Sequence, residues 1–447
     1  MRWVSIAFFG VVVLGRCFLA GAAGPSAPLR DRFVSESEPW LVSGVEPPLW
    51  DREVSGRFFA SLRMTDIFPI FVIMKTIRTF LVAVAIILAA QAQCFSQTQD
   101  RTEATDGSPL RLAIAGVTHG HLGEVVSRIE RGDFLVVGVF EENDTYRSEN
   151  DLRRHLPDNL FYKDLGKMLD ETKPEAVVAY GSIKDHLAVV EACAPRHIHV
   201  MVEKPLATTV KEAKRMRDLA QKHGIMVLTN YETSWYPANH QAKAIIDDGT
   251  IGKLFKINVY DGHQGPFEIG CAPRFTDWLC DPVLNGGGAV KDFGCYGANI
   301  ATWLLGGMVP ERVNATLRQV KPDKYPKVDD DATITVEYPG VTVQIMASWC
   351  WPYNRKDMWV YGLNGYVHQD TSRQMETLIN GQKSGLFNAP ALRSPYDDSF
   401  RYLKAAVRGE ITVLPEDLAS IENNVIVVKI LEAAKKSSRT GKSVRIR

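Results

Sequence analysis

Between residues 110 and 232 the apolar positions switch between two periods. LRLAIAGVTHGHLGEVVSRIERG (110–132) opens with a strand marked by Leu112, Ile114 and Val117. Leu122, Val125, Val126 and Ile129 then recur at helical spacing. A second strand, FLVVGVF, runs into Glu141-Glu142. The alternation continues with a helix at 165–171, a strand in EAVVAYGS, a helix in DHLAVVEACAP and a strand in HIHVMVEKP. TTVKEAKRMRDLAQKHG reads as an amphipathic helix capped by Thr208 or Thr209, and IMVLTNYE as a further strand. Strands alternating with helices require right-handed crossovers and a parallel sheet.

The pattern changes after about residue 233. ATITVEYPGVTVQIMASW (332–349) and KDMWVYGLNGYVHQ (356–369) alternate at period two around Pro-Gly and Asn-Gly turns. They predict an antiparallel sheet. SIENNVIVVKILEAAKKS (420–437) predicts an amphipathic helix that returns to the core. The fold class is therefore α/β: an N-terminal Rossmann dinucleotide-binding domain over 110–232, and a C-terminal domain over 233–447 with a large, mostly antiparallel sheet, expected to be the substrate and oligomerisation domain on the resemblance given below.

The first hundred residues carry two leader-like segments. MRWVSIAFFGVVVLGRCFLAGAAG has the look of a secretory signal. MKTIRTFLVAVAIILAAQAQCFSQ, from Met74, is the better one. Lys75 and Arg78 precede an apolar run over 80–90, and Ala90-Gln91-Ala92 offers a cleavage site. Two signals in series make no mechanical sense. The expected reading is a start at Met74, with 1–73 an upstream extension, 74–92 a signal peptide and 93–109 a linker. The mature protein is then exported to the periplasm, with no stable membrane span after cleavage. The alternative is an N-terminal membrane anchor, although the apolar core is short for a span. Gln93 before Cys94 argues against lipidation.

Composition narrows the partners. Of 447 residues, 45% are apolar and 23% charged, and 52 basic residues balance 52 acidic ones. That length suggests two or three domains. A net charge of zero gives no electrostatic case for nucleic acid or an anionic membrane. A small molecule or another protein remains. The seven cysteines form no CxxC pair and no zinc-like spacing with histidine, so they read as mostly core thiols.

In a parallel sheet, ligands lie at the carboxyl ends of the strands. That edge holds the turn Gly116-Val117-Thr118-His119-Gly120-His121, then Glu141, Gly181-Ser182, His186, Glu203-Lys204 and Asn230. The turn departs from GxGxxG: Gly116 fills the first place, while Thr118 and His121 stand in the second and third. Glu141, 25 residues after Gly116, can accept hydrogen bonds from ribose hydroxyls. It would repel a 2′-phosphate, which favours NAD over NADP. The competing reading of Glu141 is a solvated strand end. His119 and His121 lack a third ligand nearby in sequence, so no metal is expected. Their rings face the pyrophosphate or the substrate, or simply pack. Glu203-Lys204, at the tip of a buried strand and followed by Pro205, is poorly explained as surface decoration.

EKPLA (203–207), followed by GGGAVKDFGCYGANIATWLLGG (286–307), resembles the Gfo/Idh/MocA oxidoreductases over about residues 110–447. The resemblance implies a Rossmann domain, a second domain on a large, mostly antiparallel sheet, NAD or NADP, and sugars, inositols or their derivatives as substrates. It places Lys204 near both nicotinamide and substrate. The family's DxGxHxxD motif falls on Asp292, Gly294, Tyr296 and Asn299, with tyrosine in place of histidine and asparagine in place of aspartate. That variant is similar to the glucose–fructose oxidoreductase and dihydrodiol/xylose dehydrogenase branch, where a tyrosine is the acid/base. The departure argues against an inositol dehydrogenase-like assignment.

The resemblance thus implies Lys204, Tyr296 and Asp292 as catalytic residues and, with Asn299, as substrate-binding ones; the local residues add His263 as a further substrate-binding candidate. A free tyrosine titrates near about 10, too high for a good base. A neighbouring ammonium would lower it. Asp292 lies one helical turn before Tyr296 and can orient Lys204 or take a sugar hydroxyl. TNYETSWYPANH (229–240) sets aromatic rings beside polar groups, and VYDGHQGP (259–266) adds Asp261, His263 and Gln264. His263 could share the acid/base task. The family's flat sheets commonly mediate dimers, so a homo-oligomer (dimer or tetramer) is expected.

The leading reading is an exported NAD(P)-dependent oxidoreductase acting on a secondary hydroxyl of a sugar or glycoside. Its cofactor is held tightly and recycled in the site. The alternatives are an NAD-dependent glycosidase using transient ring oxidation and elimination, and a catalytically silent sugar- or NAD-binding protein.

Overall fold

The computed structural model describes residues 108–446. The expected upstream extension, signal peptide and linker up to residue 107 lie outside the described residues. All described residues belong to one unit, which spans 92–447.

The first half is a six-stranded parallel sheet. Its strands are β1 (Leu110–Ala115), β2 (Phe134–Phe140), β3 (Phe161–Tyr162), β4 (Ala176–Ala179), β5 (His199–Glu203) and β6 (Val227–Asn230). The order is β3-β2-β1-β4-β5-β6. β4, β5 and β6 are buried at every position, as expected of strands covered on both faces. Helices Leu122–Arg131, Leu165–Thr172, His186–Cys193 and Val210–His223 connect the strands. The last of these begins with a capping box: the Thr209 hydroxyl accepts from Glu212 N, and the Glu212 carboxylate accepts from Thr209 N. Thr209 therefore caps it, not Thr208, and Gly224 ends it in the left-handed region.

The second half is a ten-stranded sheet. It holds β7 (Leu254–Gly262), β8 (Arg312–Arg318), β9 (Asp331–Tyr338), β10 (Val341–Ser348), β11 (Arg355–Gly362), β12 (Gly365–Gln369), β13 (Gln374–Ile379), β14 (Gln382–Lys383), β15 (Phe387–Asn388) and β16 (Val444–Arg445). The order is β14-β13-β12-β11-β7-β10-β9-β8-β16, with β15 paired to β13. All pairs are antiparallel except β7 with β10. The β9–β10 hairpin turns at Pro339-Gly340 and the β11–β12 hairpin at Leu363-Asn364.

The chain does not divide cleanly at residue 233. Helix Ile421–Thr440 puts Val425 and Val428 into the core of the first sheet, and Val427, Ile430, Leu431 and Ala434 into the core of the second. Helix Ser399–Val407 packs Phe400, Tyr402, Leu403 and Ala406 with β1, β2 and β4 residues. Sequence periodicity gives each helix its apolar stripe but not the sheet it will choose. Among the described residues no helix is long and apolar enough to cross a membrane.

Candidate active site

The carboxyl ends of β1, β2 and β4 enclose a cavity of about 450 Å³, lined among others by Gly116, Thr118, Glu141, Gly181, Ser182 and Trp278. Gly116 has φ +87°, and a Cβ there would come within 2.5 Å of Gly181 N. Only glycine lets the two turns approach this closely. Glu141 is buried at the end of β2. Its Oε2 accepts from Val117 N at 3.1 Å and its Oε1 from Asn143 N at 3.0 Å. The carboxylate is thus fixed between two turns and still has lone pairs to offer. Helix Pro273–Leu279 from the second half closes the cavity. Its Trp278 is buried, and the indole N–H has no partner. A donor left unpaired on the wall, a carboxylate at the ribose end and a turn open enough for backbone approach fit a dinucleotide.

The two histidines of the turn are tied to Glu203. His119 Nδ1 accepts the His121 main-chain N–H at 3.1 Å, which places the ring proton of neutral His119 on Nε2. That nitrogen lies 3.9 Å from Glu203 Oε2. His121 Nδ1–H donates to the same oxygen at 3.0 Å, and Asn230 Nδ2 donates to Glu203 Oε1 at 2.8 Å. The third metal donor missing from the local sequence is therefore present in space: ligand atoms of His119, His121 and Glu203 lie within 4.8 Å of one another. The hydrogen bonds occupy this trio, and a lone pair on His119 Nε2 would put a proton on Nδ1, against the His121 N–H. Burial holds His119 well below its usual pKa. Burial opposes charge on His121 too, but Glu203 overrides it and the pKa rises. Burial would likewise raise the Glu203 carboxyl, yet the two imidazoles and Asn230 hold it well below the usual range.

Lys204 turns the other way. Its ammonium donates to Asp292 Oδ1 at 2.5 Å and to the Asp292 carbonyl at 3.1 Å, with both residues buried. The Lys204–Pro205 peptide is cis. Asp292 Oδ2 accepts from Trp349 Nε1 at 2.9 Å. Burial would neutralise both partners, but their mutual attraction wins. Lys204 is raised, and Asp292 is held at about 2. The Lys204 ammonium lies 5.0 Å from the ring centroid of Tyr296. His263 stands beside this pair, its Nδ1 accepting Gly265 N at 2.9 Å, and burial lowers its pKa.

The structure thus gathers Lys204, Asp292, Tyr296 and His263 at one place. It does not lower the Tyr296 phenol. Lys204 lies over the ring face and is paired with Asp292, and burial raises the phenol well above its usual value. Asn299 is elsewhere: fully buried, its Nδ2 donates to the Leu418 carbonyl at 2.8 Å and to Asn424 Oδ1 at 3.3 Å. Its Nδ2 thereby ties helix Gly294–Leu304 to helix Ile421–Thr440, while its Oδ1 has no hydrogen-bond partner. His186 is also turned inward, its Nδ1 on the Leu206 carbonyl at 3.1 Å. Asn230 holds Glu203 and does not line the cavity. A Cβ on Gly120 would meet the Phe275 ring at 3.6 Å, and His119 packs against Phe275 and Trp278.

Sequence reasoning missed Lys356. Its ammonium pairs with Glu232 and lies 4.9 Å from the Tyr296 ring centroid, on a ring that Lys204 also approaches. The only signal was its place after the aromatic run WCWPYNRKD. Trp349 is a core residue that also orients Asp292.

A family model described as the NAD-binding Rossmann fold of this oxidoreductase family matches residues 110–231, and one described as the GFO/IDH/MocA C-terminal domain matches 239–368. Together they cover more than half of the chain. The chain belongs to the Gfo/Idh/MocA oxidoreductases. Among curated relatives, it is 26% identical over 247 residues to D-xylose 1-dehydrogenase [NADP(+)] of Haloarcula marismortui, covering 54% of this chain and 66% of that one. It is 26% identical over 233 residues to trans-1,2-dihydrobenzene-1,2-diol dehydrogenase of Sus scrofa, covering 51% and 64%. The chain therefore spans just under two thirds of the length of these relatives. Aldose–aldose oxidoreductase from Caulobacter crescentus, solved with glycerol, shares the fold at TM-score 0.65 and 20% identity, over 76% of this chain and all of that one. The Gfo/Idh/MocA reading made from EKPLA and the 286–307 run is the one the comparisons show.

Proposed function

We propose that this Gfo/Idh/MocA protein is an NAD-dependent oxidoreductase that acts on a secondary hydroxyl of a sugar or glycoside. The observation that carries the reading is the buried Lys204–Asp292 pair. It stands at the end of β5, with His263 and Tyr296 around it. The named activities of the xylose and dihydrodiol dehydrogenases support the same class.

Bound NAD supplies the hydride acceptor. The chain's own groups do the rest. Lys204 stays charged and stabilises negative charge that develops on the substrate oxygen. Asp292, held by Trp349, keeps that ammonium in place. Neutral His263 keeps its proton on Nε2 and orients a hydroxyl. The Glu141 carboxylate favours ribose hydroxyls over a 2′-phosphate, hence NAD over NADP. Export to the periplasm and assembly into a homo-oligomer belong to the same proposal, on the signal-like segment from Met74 and the broad second sheet.

The test is to release and weigh the dinucleotide from purified mature protein, then add a panel of sugars and glycosides. Bound NAD that becomes reduced, in wild type but not in Lys204→Met, is the expected result. Glycoside cleavage without lasting reduction would move the reading to a glycosidase. Absence of both dinucleotide and turnover would reject it. N-terminal sequencing of the natural protein reads the start and the cleavage.

A further inference from the structure

Asp261 is the buried carboxyl for which the site has no evident use. It sits at the end of β7, 1% exposed, and its Oδ2 has no hydrogen-bond partner. Its cross-strand neighbour on β11 is Lys356, whose ammonium is committed to Glu232. Asp261 and Tyr296 line one cavity of about 10 Å³, together with Thr233, Asn239 and Lys356. Two more polar atoms of that lining, Thr233 Oγ1 and Asn239 Oδ1, also lack partners. A space of this size holds about one water molecule.

Oxidising an alcohol releases a proton inside a closed site. Asp292 and Glu203 are held ionised by strong partners, and Lys204 is held charged. None of the three can keep that proton. We propose that Asp261 is the proton store behind Tyr296: a positioning residue that never touches substrate and takes the hydroxyl proton through the tyrosine. The inference rests on the dehydrogenase reading. The proton path balances by itself. The substrate O–H bond breaks as a new O–H bond forms at Tyr296. The original Tyr296 O–H bond breaks toward the small cavity, and an O–H bond forms on the Asp261 carboxylate. Tyr296 ends as it began, and Asp261 becomes a carboxylic acid.

Burial pushes the Asp261 pKa well up, which makes its carboxylate a readier proton acceptor than an ordinary one. The groups that face it are Lys356, Asp357 and Arg355 on β11, Lys204 after β5, Cys295 and Tyr296 on helix Gly294–Leu304, and Tyr236 before helix Pro237–Asp247. The cations oppose the rise and Asp357 adds to it.

Asp261→Asn keeps the shape and carries no charge at any pH. At neutral pH we expect oxidation kcat to fall by roughly a hundredfold with KM within about twofold. The acid limb of the kcat–pH profile should vanish. Tyr296→Phe should give the same loss, and the double variant no further one. A second readout needs no turnover. The unfolded chain ionises Asp261 at an ordinary pH and the folded one resists, so wild-type stability falls as pH rises. Asp261→Asn should escape that fall, so its Tm advantage over wild type should grow as pH rises above the ordinary carboxylate value of 3.8. Wild-type kcat and pH profile in Asp261→Asn would overturn the relay, as would a pH-independent Tm difference. An inactive wild type removes the dehydrogenase reading, whereas the thermal titration judges Asp261 whichever way turnover goes.

Discussion

Replacing Asp292 by asparagine keeps the side chain's shape and removes its charge. Trp349 Nε1 can still donate to the amide oxygen, but the Lys204 ammonium is left buried beside a neutral group. The Asp292 carboxyl is held at about 2 against an ordinary 3.8, and the Lys204 ammonium supplies the largest downward contribution. A shift of that size corresponds to about 2.5 kcal/mol of preference for the ionised form. Removing one partner of a buried pair costs about 3–5 kcal/mol, because the other charge is stranded. Asp292→Asn and Lys204→Met should therefore each lower unfolding stability by about 3 kcal/mol or more. The double variant strands nothing and should be more stable than the sum of the single losses by about 2 kcal/mol or more. The assay is urea unfolding without cofactor, followed by circular dichroism and tryptophan fluorescence, at constant m. Single losses that add within about 0.5 kcal/mol would refute the coupling. The pH window has a definite sign. The Asp292 contribution is present above its unfolded pKa of 3.8 and is lost as pH falls through about 2. The Lys204 contribution is present below the ordinary lysine value of 10.5 and is lost only above that.

Three further outcomes are expected. Gly116→Ala places a Cβ 2.5 Å from Gly181 N at a φ of +87°; it should cost more than about 1 kcal/mol in urea unfolding and weaken dinucleotide binding by fluorescence titration. Asn299→Ala should lose about 1–3 kcal/mol of stability with KM for any substrate unchanged; a selective rise in KM would restore Asn299 to the substrate site. Lys291 is fully buried on the Thr208 carbonyl, and burial, then Lys435, bring its pKa from 10.5 down to about 8. Wild-type stability should thus rise between pH 8 and 10.5 by up to about 3 kcal/mol, and Lys291→Met should flatten that rise in a Tm–pH series.

The sequence made the first sheet legible because its buried strands are short apolar runs between helices with clear caps, such as Thr209 with Glu212. The edge of strand ends carrying Glu141, Gly181 and Glu203 followed from topology alone. Two things were not legible. Asn299 matched a motif position, but a one-dimensional motif cannot say which face of helix Gly294–Leu304 meets helix Ile421–Thr440. The neighbourhood of Tyr296 was also hidden: Lys356 lies 60 residues away in sequence and reaches the ring only because β11 pairs with β7. Charge states that depend on long-range neighbours cannot be read from spacing, so the phenol expected to be lowered is in fact raised.

The departure of the turn from GxGxxG now has a physical reason. Glu203 and Asp292 are two buried carboxylates on either side of one lysine, and Lys204 gives its ammonium to Asp292. Glu203 would be left as an uncompensated buried charge, which costs several kcal/mol. His121, standing where the third glycine would be, supplies the missing partner at 3.0 Å. The same imidazole is the N-cap residue of helix Leu122–Arg131, whose first-turn N–H groups it leaves uncapped by any side chain. An imidazole whose pKa Glu203 raises, standing at a helix start, favours an anion there. If the pyrophosphate of a dinucleotide lies at this helix start, the substitution that weakened the fingerprint supplies a partner for it there. His121→Gly, which restores the glycine pattern, should then weaken NAD binding instead of strengthening it, by about tenfold if one charge-assisted contact of about 1.4 kcal/mol is lost. Tighter binding in His121→Gly, measured by titration of the stripped protein, would show that the histidine obstructs the cofactor and serves Glu203 alone.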